Sequence, residues 1–239
     1  FRSELKKTRD DCGTLLMTLD DLEDADWENN WKQYYKPMEI GDRLLVVPEW
    51  LREDPKVRAG LAAGRVALVL DPGLTFGTGS HATTRLCLTA LEKTIRGGER
   101  VLDLGCGSGI LSIAALKLGA ASAAAVDIDD KCRDVAYENA ALNGIGQDTY
   151  TVRIGDVLGD AVLRADLGGG WQMVVANIVA DVIIGLSPLV RPMLAPGGLF
   201  LCSGIIDDRA QEVADRLREN GWEILETRSA EGWFSYLCR

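Results

Sequence analysis

From residue 82 to the C-terminus, the apolar positions alternate between a helical period and short continuous runs. Glycine pairs, Asn-Gly and Pro-Gly-Gly separate these segments, as breakers do between regular elements. The pattern predicts helices at 82–96, 109–119, 130–143, 179–194 and 207–220, and strands at 101–104, 122–127, 149–154, 172–176, 198–203, 222–228 and 232–238. Such alternation indicates an α/β fold with a doubly wound, mostly parallel seven-stranded sheet. Only Ser229 to Glu231 separate the last two strands, so the last strand should run antiparallel to its neighbour.

The N-terminal part has a different pattern, because residues 1–26 are polar and rich in charge. Trp27, Trp31 and Tyr34 follow at positions i, i+4 and i+7, which predicts one face of a short helix. These aromatic side chains either pack against a neighbouring element or flank a substrate entrance.

Two further short strands are predicted at 44–47 and 66–70, joined by a polar loop punctuated by proline. We therefore expect two parts in the chain. Residues 1–65 form an N-terminal segment with an aromatic linker, and residues 66–239 form the main domain.

The charge balance limits the class of partner. The net charge of -10 argues against a general nucleic-acid-binding protein, which carries a basic face. An acidic surface suits a basic protein partner, or it only keeps the protein in solution.

The six cysteines form no CxxC pair, which predicts buried, reduced thiols and a cytoplasmic location. The single histidine, His81, argues against a histidine-based metal site, and no apolar run is long enough to cross a membrane.

The strand at 101–104 leads into a glycine-rich turn, Gly105-Cys106-Gly107-Ser108-Gly109, and the next strand ends at Asp127. A strand, a glycine turn, a helix and an acid about 20 residues later are typical of a nucleotide-type site in which the acid takes ribose hydroxyls. The spacing is GxGxG rather than GxGxxG. It favours S-adenosylmethionine over a dinucleotide, because no pyrophosphate has to meet the helix N-terminus. The sequence therefore predicts a methyltransferase.

Other candidate residues follow the ends of the strands, where ligands bind in open α/β sheets. Asp103 would hydrogen-bond the glycine turn from below. Asp156 would either contact the adenine amino group or close a turn. Asn177 ends a strand where the reacting methyl group should lie, and its amide would orient an incoming amine, so we predict it as the catalytic residue. The alternative for Asn177 is an ordinary helix N-cap.

Residues 71–84, DPGLTFGTGSHATT, are a second landmark. Such a glycine-rich loop can fold over a cofactor, with Thr83 and Thr84 near the start of the next helix. The alternative is a plain connection, which the length of the loop disfavours. His81 would serve as a base near neutral pH or as a hydrogen-bonding residue of the loop.

Together these motifs resemble the bacterial ribosomal protein L11 methyltransferase family, the PrmA type. The strings that carry the resemblance are DWENNWKQYYKP, DPGLTFGTGSHATT, VLDLGCGSGILSIAALKLGA, VDID, VVANIVADVI and LAPGGLFLCSGI. The resemblance implies transfer of methyl groups from S-adenosylmethionine to lysine side-chain amines and the terminal amine of a ribosomal protein. It also implies cofactor contacts at Thr84, Gly105, Asp127 and Asn177 and a loop that closes around the cofactor from Phe76. With the residues at the strand ends, the predicted cofactor-binding set is Phe76, Thr84, Gly105, Gly107, Asp127, Asp156 and Asn177.

Two features depart from the family pattern. Ser80 and Ala82 stand where the family usually has threonine and proline. Members also carry a small N-terminal substrate-recognition domain, and the residues before Trp27 are too few for it, so we expect most of that domain to be absent. Two alternatives follow: a methyltransferase with another acceptor (another protein, an RNA or a small amine), or a module that binds the cofactor without turnover.

Overall fold

The computed structural model describes residues 32–71 and 79–239. The chain divides into two compact units, Phe1–Tyr35 and Lys36–Arg239. The described part of the first unit contains one 3-10 turn, Lys32–Tyr34. The helix face predicted for Trp27 and Trp31 lies outside the described residues. All elements below belong to the second unit.

The second unit begins with a small three-stranded sheet. Its strands are β1 (Met38–Ile40), β2 (Leu44–Pro48) and β3 (Val66–Leu70). The order is β1-β2-β3, with β1 antiparallel and β3 parallel to β2. The domain boundary expected at residue 66 therefore falls between two paired strands. The assignment of separate roles to residues 1–65 and 66–239 stays a prediction.

A seven-stranded sheet forms the centre of the unit. Its strands are β4 (Arg100–Leu104), β5 (Ser122–Asp127), β6 (Tyr150–Ile154), β7 (Trp171–Asn177), β8 (Leu194–Ile206), β9 (Ile224–Ala230) and β10 (Trp233–Cys238). They lie in the order β6-β5-β4-β7-β8-β10-β9. All neighbours from β6 to β8 are parallel, and β10 runs antiparallel to both β8 and β9. The predicted seven-stranded, mostly parallel sheet with an antiparallel last strand is confirmed.

Helices cover both faces of this sheet. They are α2 (Ala82–Thr94), α3 (Ile110–Lys117), α4 (Lys131–Leu142), α5 (Ala161–Leu167), α6 (Ala180–Val190) and α7 (Asp207–Glu219). Helix α1 (Pro55–Ala62) packs instead on the small sheet, where Val57 contacts Leu45 and Val47 of β2. Successive residues of one strand point to opposite faces of the sheet. Val101 belongs to the core layer formed with α2, α3 and α4, and Leu102 belongs to the layer formed with α5, α6 and α7. The small sheet extends the first layer through Leu44 and Leu68.

Strand β1 and two helices were not predicted from the sequence. The segment between β2 and β3, expected to be a loop, contains α1, whose N-cap Asp54 accepts a hydrogen bond from the N–H of Lys56 at 2.8 Å. Pro55 stands at the first position of that helix, where its missing N–H costs nothing. Helix α5 begins after Asp160, whose side chain accepts from Val162 N–H at 2.8 Å. None of the helices in the described ranges is long and apolar enough to span a membrane.

Candidate cofactor and active site

The turn between β4 and α3 is built from glycines in left-handed backbone conformations. Gly105, Gly107 and Gly109 have φ angles of 77°, 51° and 78°, which residues with a Cβ seldom adopt. The N–H of Gly105 donates to the carbonyl of Val126 at 2.8 Å. A Cβ on Gly105 would overlap the side chain of Ile178. Glycine is therefore required here both by the backbone and by the close approach of the segment after β7.

Asp127 ends β5 opposite this turn. Its Oδ2 accepts from the N–H of Gly107 at 2.8 Å, and its Oδ1 accepts from the N–H of Asp129 at 3.0 Å. The side chain is half-buried and lines the cleft beside the turn. A carboxylate has about four acceptor sites, so Asp127 can accept two further hydrogen bonds. The expected contact with a ribose diol stays a prediction.

Asp156 follows β6 at the next strand end. Its Oδ1 accepts from the N–H of Leu158 at 2.9 Å and closes a turn, while the residue also lines the cleft. The guanidinium of Arg164 donates to the carbonyls of Val157 and Leu158 at 2.6 and 2.9 Å and holds the same segment from α5. The turn-closing role of Asp156 is thus observed, and its contact with adenine stays a prediction.

Asn177 ends β7 at the centre of the cleft. Its Nδ2 donates to Oγ1 of Thr84 at 3.4 Å, and its Oδ1 is buried without a hydrogen-bond partner among the described residues. Helix α6 has Val179 rather than Asn177 at its N-cap, so the alternative N-cap role for Asn177 is wrong. A buried acceptor without a partner is costly. The lacking partner is compatible with a hydrogen bond from a ligand, and the predicted catalytic role of Asn177 stays a prediction.

Thr84 lies behind Asn177 in the first turn of α2. Its side chain is fully buried and is not part of the cleft wall. Its hydroxyl meets the amide of Asn177 instead. We therefore expect Thr84 to act on the site through Asn177 rather than through the direct cofactor contact that the sequence analysis predicted.

His81 and Trp233 form another part of the wall. His81 is the N-cap of α2, and its Nδ1 lies 2.8 Å from Oγ1 of Thr83 and accepts from the N–H of Thr83 at 3.4 Å. The indole of Trp233 packs edge to face against the imidazole, with ring centroids 4.9 Å apart. The hydrogen-bonding role expected for His81 is observed, and a role as a base stays a prediction.

Asp103 lies fully buried in β4, beneath the turn. Its Oδ2 accepts from the N–H and the hydroxyl of Ser112 at 3.1 and 2.7 Å. The expected contact with the glycine turn is wrong, because the carboxylate holds the first turn of α3 instead. Burial raises the pKa of Asp103 to about 6, the hydrogen bonds from Ser112 oppose this shift, and the negative charge of Asp127 adds to it.

These elements enclose a cleft of about 1220 Å³ at the carboxyl ends of the parallel strands. Five predicted cofactor-binding residues line it: Gly105, Gly107, Asp127, Asp156 and Asn177. Phe76 lies outside the described residues. Ile128, Val179 and Trp233 supply apolar side chains to the wall of the cleft and were not predicted from the sequence. Ile128 could have been found because it directly follows the acid at a strand end, whereas nothing local marks Trp233.

S-adenosylmethionine fits this donor and acceptor set. Asp127 offers acceptors for two ribose hydroxyls, the glycine turn lets backbone approach closely, and Ile128 and Val157 offer an apolar wall for a base. A dinucleotide fits less well. The N–H of Ser112 in the first turn of α3 already donates to Asp103, so it is not free for a pyrophosphate.

Comparison with known proteins agrees with this assignment. The family model described as Ribosomal protein L11 methyltransferase (PrmA) matches residues 1–239. A ribosomal protein L11 methyltransferase from Caldanaerobacter subterraneus subsp. tengcongensis is 41% identical over 236 residues, which cover 99% of this chain and 72% of that protein. One from Lacticaseibacillus paracasei is 44% identical over 223 residues, covering 93% of this chain and 67% of that protein. The crystal structure of a ribosomal protein L11 methylase from Lactobacillus delbrueckii subsp. bulgaricus matches with a TM-score of 0.75 at 34% identity, over 86% of this chain and 98% of that one.

Proposed function

Because this chain belongs to the ribosomal protein L11 methyltransferase family, we propose that it transfers methyl groups from S-adenosylmethionine to amines of ribosomal protein L11. It is an S-adenosylmethionine-dependent methyltransferase of the protein-lysine kind. The acceptors are lysine side chains and the N-terminal amine. At the level of the site, the Oδ1 of Asn177 carries the proposal, because it has no hydrogen-bond partner within residues 32–71 and 79–239 and an amine N–H would be a donor for it.

The residues that would hold the cofactor lie at three neighbouring strand ends. Gly105 and Gly107 take the amino acid part against backbone, and Asp127 takes the ribose hydroxyls. Asp156 closes the turn at the adenine end. Bound S-adenosylmethionine supplies a methyl group on a positively charged sulfur, which leaves with the electron pair of its bond to carbon.

Asn177 positions the acceptor amine. Its Oδ1 accepts one N–H of the amine, which fixes the direction of the nitrogen lone pair. Thr84 accepts from the Nδ2 of the same amide and so fixes which way the amide group faces. A neutral amide takes no proton at neutral pH, so the amine reaches the site already deprotonated or loses its proton to water or another group.

The charge of the cleft supports a basic protein as acceptor. Asp129, Asp134 and Asp156 line it together with one lysine, Lys131, and the whole chain has a net charge of -10. An RNA acceptor would bring phosphates toward this acidic entrance, which disfavours binding. We therefore propose a protein acceptor and a cytoplasmic location, where ribosomal proteins are available. We also propose that residues 66–239 bind the cofactor and that residues 1–65 take part in recognition of the acceptor.

The test is incubation with L11 and isotopically labelled S-adenosylmethionine, followed by fragmentation mass spectrometry to locate the methyl groups. We expect label on lysine side chains and the terminal amine. Asn177→Ala should abolish most of the transfer, whereas the control Asn220→Ala, outside the cleft, should methylate at the parent rate. Transfer by Asn177→Ala at the parent rate would contradict the role of Asn177. If the parent leaves L11 unlabelled, the acceptor assignment fails, and labelling of protein, RNA and small-molecule fractions of a lysate would identify the alternative.

A further inference from the structure

Asn139 of α4 connects two segments that are far apart in the sequence. Its side chain is 1% exposed. Its Nδ2 donates to the carbonyl of Ser108 at 3.0 Å, in the middle of the glycine turn. Its Oδ1 accepts from the N–H of Asp71 at 2.9 Å, where the chain leaves β3. One buried amide thus joins the turn, α4 and the end of the small sheet.

Asn143, one helical turn later, makes a different set of contacts. Its Oδ1 accepts from the N–H of Val69 at 2.9 Å, and its Nδ2 donates to the carbonyl of Val69 at 2.7 Å. The same Nδ2 also donates to the backbone carbonyl of Asn139 at 2.8 Å. Asn143 therefore attaches β3 to α4 without contacting the glycine turn through its side chain.

We propose that Asn139 is a positioning residue for the cofactor, and this inference rests on the proposed function because it takes the glycine turn as the cofactor site. The carbonyl of Ser108 lies between Gly107, whose N–H is held by Asp127, and Gly109. Glycines give the turn its left-handed conformations but leave it free to adopt others. In the peptide plane after Ser108, the N–H of Gly109 donates to the carbonyl of Cys106 at 2.8 Å, and the hydrogen bond from Asn139 holds the carbonyl of the same plane. The two bonds together keep the turn in one conformation before the cofactor binds.

The amide also has no apolar substitute at this place. Without its NH₂ group, the carbonyl of Ser108 would lose its hydrogen bond from α4, and the turn would no longer be held from that side. Without its oxygen, the N–H of Asp71 would lose its hydrogen bond to α4 in the same way. Substitutions at Asn139 should therefore weaken binding at the cofactor site, whereas substitutions at Asn143 should weaken only the packing of β3 against α4.

The test compares Asn139→Asp and Asn139→Ala with the matched control Asn143→Asp. Asn139→Asp keeps an acceptor for the N–H of Asp71 and removes the donor to the turn. We expect both Asn139 variants to bind S-adenosylmethionine roughly tenfold more weakly at temperatures where they are fully folded. The KM for S-adenosylmethionine should rise while kcat stays close to the parent value. Asn143→Asp should lower Tm and keep the parent Kd.

Three outcomes separate the possibilities. Parent affinity in a folded Asn139→Asp variant, or an equal loss in Asn143→Asp, would overturn the positioning role. A parent protein that binds no S-adenosylmethionine would instead contradict the proposed function. If neither Asn139 variant folds, hydrogen exchange of the backbone amides in the parent protein tests the positioning role instead. S-adenosylmethionine should slow the exchange of the Asp71 N–H together with the N–H groups of the glycine turn. The exchange rate of the Val69 N–H should stay unchanged. An unchanged rate at Asp71 would then overturn the inference.

Discussion

Replacement of Asp127 with alanine should remove the carboxylate that receives the ribose. In the structure its two oxygens already accept from Gly107 and Asp129 at 2.8 and 3.0 Å, which leaves roughly two acceptor sites for a diol. Hydrogen bonds to a charged group contribute roughly 1.5–3 kcal/mol each when buried. Because Asp127 is only half-buried, we take about 1 kcal/mol for each, or about 2 kcal/mol in total. This corresponds to an increase of about thirtyfold in the Kd for S-adenosylmethionine.

Titration calorimetry with S-adenosylmethionine, at fixed pH and salt, measures this change directly. Asp127→Asn keeps one carbonyl oxygen as an acceptor and should lose about 1 kcal/mol, or about fivefold in affinity. Asp130→Ala is the matched control, because it removes the same charge nearby from a side chain that makes no cap hydrogen bond. It should bind like the parent. Parent affinity in Asp127→Ala, or an equal loss in Asp130→Ala, would refute the assignment of Asp127 as the ribose ligand.

Three further predictions follow from the geometry and chemistry of the site. Gly105→Ala should weaken S-adenosylmethionine binding more than tenfold, because a left-handed alanine costs about 1–2 kcal/mol and its Cβ would also displace Ile178. The control Gly64→Ala has a φ of 84° and nothing within 4 Å of a Cβ, so it should lower Tm alone. Equal losses of binding in the two variants would contradict this prediction. Burial raises the pKa of Asp103 from 3.8 to about 6, so its stabilisation is present below about pH 4 and is lost as pH rises through 6. Chemical unfolding of the parent and Asp103→Asn should then diverge by about 3 kcal/mol between pH 3 and 7, and parallel curves would refute the shift. The rate of methylation of a terminal amine should level off near pH 8, whereas the rate of lysine methylation should keep rising toward pH 10, because only the neutral amine reacts. Coincident pH–rate profiles for the two product peptides would contradict attack by the free amine.

The large sheet could be predicted because its strands are short apolar runs bounded by glycine and proline. Strand β5, Ser122–Asp127, has the predicted bounds because both faces of the strand are covered and its residues are continuously apolar. Helix α5 was missed although Asp160 precedes a short apolar run and Gly168 ends it. Both are ordinary helix boundary signals, and seven residues are too few to establish a helical period.

The candidate site divides in the same way. The glycine turn and Asp127 could be predicted because a βαβ unit brings them together through local connections. The contact between Thr84 and Asn177 joins residues 93 positions apart, and it depends on how α2 lies against β7. Trp233 reaches the cleft only because the antiparallel β10 begins at the edge where the parallel strands end. Neither contact leaves a periodic signal in the sequence.

The most direct test of the account follows the labelled methyl group from the cleft to L11. The chain is first mixed with a limiting amount of labelled S-adenosylmethionine, and is then added to L11 with a large excess of unlabelled S-adenosylmethionine. If the cleft holds the cofactor in a productive position, L11 should carry label from the first turnover despite the chase, and Asp127→Ala should trap much less. If the parent binds the labelled cofactor but L11 carries no label even when the chase is omitted, the cleft is not the site from which methyl transfer to L11 occurs.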